Sequence, residues 1–91
     1  EYLPEDFALY PNYPNPFNAA TTIRYSLPVK QEVRLEIFDV IGRRVQVLIN
    51  DEQPAGWHTM QIDASRLASG VYVYQMTTKN NVSSRKMTIV K

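Results

Sequence analysis

Cysteine is absent from the 91 residues. Disulfide staples, thiolate metal sites and a cysteine nucleophile are therefore excluded. No apolar run approaches the ~20 residues that a membrane-spanning helix needs. The chain opens Glu-Tyr-Leu-Pro-Glu-Asp, without an initiator Met. That start is acidic, where a secretory signal peptide is basic and then apolar. The chain is accordingly expected to be a piece of a longer protein, its end. A charge imbalance is missing too: ten Lys and Arg against nine Asp and Glu leave a formal net charge of +1. Bulk electrostatics thus point to neither a nucleic acid nor a membrane.

What is present is ordinary globular material, with 44% hydrophobic and 21% charged residues. The length fits one domain, which buries roughly 60–65% of the surface its unfolded chain exposes. The most strand-like run is residues 69–77, Ser-Gly-Val-Tyr-Val-Tyr-Gln-Met-Thr. It is β-branched and aromatic, it lacks Pro, and side chains alternate across a strand. Tyr72, Tyr74 and Met76 share one face; Val71, Val73 and Gln75 share the other. Both faces are largely apolar, so a central strand is expected, with Gly70 before it in a conformation that Gly holds easily.

The remaining strands follow from the same alternation. Residues 21–27 place Ile23, Tyr25 and Leu27 on one face. Residues 33–39 place Val33, Leu35 and Ile37 inward and Arg34 and Glu36 outward, and Phe38 is expected to be covered by the Pro-rich start of the chain. Residues 39–42 read as a tight hairpin connection, with Gly42 at positive φ. The returning strand, 44–49, would turn Val45, Val47 and Ile49 inward. A polar loop over 50–56 follows, then a strand over 57–63 with Met60 and Ile62 in the core. Residues 64–70 are too short for a helix, and Leu67 plugs the core from below. Asn80-Asn81 suits a two-residue turn into a last strand over 82–91, where Met87 and Ile89 face inward and Lys86, Thr88 and Val90 face outward. Residues 1–18 hold four of the six prolines, so they should be extended and mostly unpaired. Their Phe7, Leu9, Tyr10, Tyr13 and Phe17 predict that this lead-in packs on the 19–91 domain, with a short edge strand over 7–10. Six or seven short strands with turn signals and no helical period indicate an all-β, immunoglobulin-like antiparallel β-sandwich.

Candidate chemistry is sparse. His58 is the only histidine. It could pair with Ser26, Ser65, Ser69, Ser83 or Ser84 and with Asp39 or Asp63, but none of these sits in a nucleophile-elbow context. The simpler reading is a solvent-exposed strand residue, and no catalysis is expected. The carboxylates are scattered over turns and strand edges, and no cofactor or metal site is expected; Asn50-Asp51-Glu52 and Asp63 lack the ligand spacing of a Ca²⁺ loop. Trp57, Tyr2, Tyr10 and Tyr13 are the aromatics left for a sugar-stacking platform, or simply for holding the Pro-rich segment down. Asn81-Val82-Ser83 matches the glycosylation triplet, a pattern frequent by chance. Arg85, Lys86 and Lys91 form a basic cluster on the last strand, where charge also protects an edge.

An ordered set of motifs carries a resemblance. Tyr13-Pro14-Asn15-Pro16-Phe17-Asn18 comes first, then Thr21-Thr22-Ile23, Asp39-Val40-Ile41-Gly42-Arg43, Pro54-Ala55-Gly56-Trp57-His58, Ser69-Gly70-Val71-Tyr72, and the ending from Lys86-Met87 to Lys91. The set, over residues ~10–91, resembles the type A C-terminal sorting domain of type IX secretion cargo proteins. The Tyr-Pro-Asn-Pro-Phe start is similar to that of the immunoglobulin-like domain of flagellar hook-capping proteins. One departure is Ala19-Ala20 after Asn18, where a Pro often follows. The resemblance implies a β-sandwich continuous with an N-terminal cargo domain, passing through the periplasm to the cell surface or the medium. Its implied partners are the outer-membrane secretion machinery and a sortase-like protease, with no nucleic acid, and it is expected to act as a monomer. Arg85, Lys86, Thr88, Val90 and Lys91 are the residues expected to be recognised, on a last strand expected to end freely. The family motif is expected to be carried by Pro14, Asn15, Pro16, Phe17, Asn18, Asp39, Gly42, Arg43, Gly56, Gly70 and Tyr72. The competing expectation is an accessory spacer or carbohydrate- or protein-binding module of an extracellular enzyme.

Overall fold

The computed structural model describes residues 2–91. Seven strands run β1 Ala8–Leu9, β2 Ala20–Leu27, β3 Gln31–Phe38, β4 Arg44–Gln53, β5 Gly56–Asp63, β6 Gly70–Thr77 and β7 Val82–Ile89. They form two antiparallel sheets, ordered β1-β2-β5 and β4-β3-β6-β7. No helix occurs among the described residues. The β-sandwich expected from the alternation is therefore the fold, and β6 is an internal strand between β3 and β7.

Alternation builds the core. Ile23, Tyr25 and Leu27 of β2, Val33, Leu35 and Ile37 of β3, Tyr72, Tyr74 and Met76 of β6, and Met87 and Ile89 of β7 are all buried. They meet Ile62 of β5 and Ala64, with Met60 and Leu67 half-buried against them. Leu35 lies opposite Met76 and Ile37 opposite Tyr74, so large side chains from neighbouring strands share the inner face.

β4 departs from its expected pattern. Val45 and Val47 are 40% and 43% exposed. The cause is two register shifts against β3, at Leu35/Glu36 and Ile37/Phe38. A one-residue slip reverses which face a side chain takes, and Val47 ends up opposite outward-facing Glu36. Residues 50–53, expected in a loop, extend β4 opposite residues 31–34. The turn into β5 is only Pro54-Ala55. The β6–β7 connection is also shifted: Thr78 N–H donates to Asn81 O at 2.8 Å, so Lys79 and Asn80 are its central residues. No non-glycine residue described has positive φ, so the turn does not use the left-handed region expected of Asn. Gly42 (φ +87°) and Gly70 (φ +151°) do use conformations that L side chains rarely adopt.

The Pro-rich lead-in is more paired than its prolines suggest, because its non-proline residues carry the bonds. β1 pairs with β2. Tyr10 N–H donates to Arg24 O, Tyr13 and Thr22 exchange two bonds, and Phe17 N–H donates to Thr88 O while Phe17 O accepts from Val90 N–H. The lead-in therefore runs along β2 and β7, not over Phe38, which stays half-buried on the outer face opposite Val73. The Tyr74 hydroxyl crosses the core to donate to Tyr10 O at 2.7 Å. Burial pushes the Tyr74 hydroxyl from its ordinary 10.0 up to about 12.

Two outcomes follow. Ile37→Ala should cost about 2–5 kcal/mol through a core cavity, whereas Val47→Ala should stay within about 0.5 kcal/mol, as exposed positions do; urea melts of the two variants check the shifted register. In alkali, folded Tyr74 keeps its proton after the unfolded chain has lost its own. Stability is thus intact below about pH 10 and falls as pH rises toward about 12. Tyr74→Phe should flatten that decline, measured by melting temperature against pH.

Candidate functional site

Most of the expected motif residues turn out to be structural supports. Pro14 O accepts from Thr21 Oγ1 at 2.8 Å and from Asn12 Nδ2 at 3.2 Å. Asn15 Oδ1 accepts from Thr88 N–H at 3.0 Å. Phe17 is 3% exposed and clamps β7 through its backbone, while Pro16 and Asn18 are exposed. The Tyr13–Pro14 and Asn15–Pro16 bonds are cis. Tyr72 is buried, and its hydroxyl donates to Ala68 O at 2.8 Å, tying the 64–69 connection to β6. Gly56 and Gly70 begin β5 and β6 at positive φ.

Asp39, Gly42 and Arg43 build the β3–β4 turn together. Asp39 Oδ1 accepts from the N–H groups of Ile41 at 3.1 Å and Arg43 at 2.9 Å. Asp39 Oδ2 accepts from Arg43 Nε at 2.9 Å. Gly42 N–H donates to Asp39 O, and Asp39 N–H donates to Arg43 O. A short acidic side chain thus replaces the missing backbone acceptors of a tight turn. The Arg43 N–H, then its guanidinium and the Ile41 N–H, hold the Asp39 carboxyl below its ordinary value. The turn presents Val40 and Ile41 to solvent at 72% and 70% exposure.

The five residues expected to be recognised separate into different roles. Lys86 and Val90 are exposed, and Lys86 makes no ion pair among the described residues. Thr88 is half-buried, with its N–H held by Asn15 and its O by Phe17. Arg85 Nε donates to Leu9 O at 2.9 Å and bridges β7 to β1. Lys91 Nζ donates to Ser65 O at 3.0 Å, and its N–H donates to Ser69 Oγ. The expectation of a freely ending last strand is therefore corrected. Residues 88–91 are fastened on one side by Asn15 and Phe17 and on the other by Ser65 and Ser69. The pairing partner is the Pro-rich segment, whose prolines concealed it in the sequence.

His58, expected in solvent, is half-buried on the inner face of β5 and stacks on Tyr25 with ring centroids 4.9 Å apart. Its Nε2 donates to Pro54 O at 2.8 Å. Among the described residues no serine hydroxyl or carboxylate is hydrogen-bonded to it. Among the described residues no group of three His, Asp or Glu side chains is placed to hold a metal. Of the aromatics weighed for sugar stacking, Tyr2, Tyr13 and Trp57 are exposed, and the Arg24 guanidinium lies 4.9 Å over the Tyr10 ring. The outer side of β3 carries one feature that alternation concealed: Glu36 points outward yet is buried, clamped by Arg34 Nε and Arg44 Nη1, each at 3.1 Å.

Comparison with known proteins agrees with this scaffold. The family model described as "Secretion system C-terminal sorting domain" matches residues 9–91. No curated protein sequence matches the chain. Among solved structures it is similar to PorZ, described as an essential bacterial surface component of the type-IX secretion system of Porphyromonas gingivalis. That likeness has a TM-score of 0.60 at 18% identity, over 93% of this chain and 11% of the PorZ chain; it supports the fold. The chain belongs to the secretion system C-terminal sorting domain family. It is a sorting signal of type IX secretion, and the protein that bears it is exported across the outer membrane to the cell surface or beyond. The family is one of secretion signals and not of catalysts.

Acid tests the Asp39 turn. Its folded carboxyl lies below 3.8, so the support it gives is full above that value and is lost as pH falls through the lower folded one. An NMR titration should show the Ile41 and Arg43 amide shifts moving together with the Asp39 carboxyl, at a midpoint below 3.8.

Proposed function

We propose that the outer-membrane export machinery reads this domain along the outward side of β7, at Lys86, Thr88 and Val90, with Lys91 at its end. The supporting observation is the division of the strand by parity. Met87 and Ile89 are 0% and 1% exposed in the core, while Lys86 and Val90 stand in solvent. Backbone polarity divides in the same way. Thr88 directs its N–H and O away from β6, toward the lead-in, so residues 82, 84 and 86 direct theirs outward too. The upper end of that edge is held by Phe17; the lower end, with Lys86 beside it, offers a place for strand pairing guided by charge. Arg85 serves by bracing β7 against β1.

In this reading the domain is non-catalytic and acts as a single copy behind an N-terminal cargo. The lead-in packs on the 19–91 sandwich, its residue 1 lying outside the described residues, and a sortase-like protease separates cargo from signal after transport. A binding-module role would instead use the cleft of about 510 Å³ lined by Tyr10, Tyr13, Thr22, Arg24 and Thr59.

The experiment is a fluorescent reporter carrying this chain at its carboxyl end, in a type IX-competent host, with periplasm, surface and medium separated. Lys86→Glu with Lys91→Glu should retain the fusion in the periplasm. The double change should keep stability within about 1 kcal/mol, since both side chains are exposed and Lys91 gives up one surface bond, to Ser65 O, while its N–H keeps the bond to Ser69. Surface delivery of that variant at the unaltered level would refute recognition by charge. Retention of the unaltered fusion would favour the binding-module role.

A further inference from the structure

The outer face of the four-stranded sheet is unusually apolar at one end. Phe38 of β3 lies opposite Val73 of β6, and Val73 lies opposite Lys86 of β7. Val71 lies opposite Thr88. These side chains all take the solvent side of their strands, because their alternate neighbours fill the core. Val71 is 38% exposed, and the turn beside it holds out Val40 and Ile41 at 72% and 70%.

The turn is shaped as well as apolar. A cleft of about 420 Å³ lies on one side of Val40, lined by Phe38, Gly42, Val73 and Gln75. A second, of about 250 Å³, is lined by Val40, Ile41 and Arg43 and by residues 69–72. The Asp39 bonds fix the turn before any partner arrives, so docking need not order it.

Charge gives the partner its sign. The two carboxylates this sheet carries at this end are withdrawn and paired, the Glu36 and Asp39 side chains being 5% and 17% exposed; exposed Asp63 stands beside Val45 and Gln46 but on the other sheet. Their partners Arg34, Arg44 and Arg43 are 51%, 57% and 74% exposed. Lys86 adds a further exposed cation. Exposed Glu32, Asp51 and Glu52 lie at the opposite end of the sheet. Solvent at the turn end therefore meets aliphatic groups rimmed by positive charge.

We infer that this face, centred on Val40, Ile41 and Val73 and continuous with Lys86 and Thr88, docks a folded protein whose surface is apolar at its centre and acidic at its rim. The inference rests on the β7 reading and enlarges it from one strand to a face two strands wider. Clefts on both sides of Val40 suit inserted side chains, and a contiguous apolar patch of this kind marks a protein contact more often than idle surface.

The test uses the reporter fusion with Val40→Ser and Ile41→Ser together, alongside Val40→Leu with Ile41→Leu. The serine pair should leave the melting temperature unchanged, because both side chains are in solvent, and should lower surface delivery by at least about tenfold, as loss of an apolar anchor does. The leucine pair should restore delivery. Delivery of the serine pair at the unaltered level overturns the inference; if Lys86→Glu with Lys91→Glu is retained in the same experiment, the β7 reading survives alone. Normal delivery of both variants overturns both. A serine-pair loss that the leucine pair does not restore shows that the turn does not act through apolar contact, which also overturns it. Purified domain is then mixed with vesicles of anionic phospholipid. No binding is expected, and binding lost in the serine pair would assign the turn to lipid in place of protein.

Discussion

One short contact governs how the domain holds together: Phe17 fills the core with its ring and clamps β7 with its backbone. Phe17 N–H donates to Thr88 O and its O accepts from Val90 N–H. The edge of a sheet exposes unpaired donors and acceptors, and here the lead-in supplies them from the far end of the sequence. Arg85 reaching Leu9 O and Tyr74 reaching Tyr10 O add two more ties between the same regions. The seam between the two sheets is thereby closed by the lead-in.

The motif and the exposed side chains of β7 and the β3–β4 turn are physically different sets of residues. Pro14, Asn15, Phe17, Asp39, Gly42, Gly70 and Tyr72 spend their polar groups or backbone freedom on building turns and anchoring strands. The residues that face solvent with unspent capacity, Lys86, Val40 and Ile41, lie beside or between them.

The sandwich was legible in sequence because its inner strands alternate without interruption: Ile23, Tyr25 and Leu27, Val33, Leu35 and Ile37, and Tyr72, Tyr74 and Met76 each keep strict period two. Val45 and Val47 misled because a bulge changes parity without leaving a mark in composition. The fastening of residues 88–91 was illegible for another reason. Proline counts describe which donors a segment lacks, and the lead-in makes its bonds at Tyr10, Tyr13, Asn15 and Phe17. Val40 and Ile41 read as turn residues in sequence; only their exposure beside Val71 and Val73 makes them part of a surface. Glu36 is the converse case, outward by alternation yet roofed by two arginines.

The ties between the two ends of the chain also impose an order on its making. Asn15 and Thr88 are 73 residues apart in sequence, and Leu9 and Arg85 are 76 apart. While the ribosome is still adding β7, the lead-in has no edge to clamp, and Met87 and Ile89 are missing from the core. Contacts of such long separation close last and slowly. A nascent or truncated chain that lacks β7 thus lacks its final layer of packing together with the strand bearing Lys86. The same strand completes the core and bears Lys86, so an unfinished molecule lacks both at once.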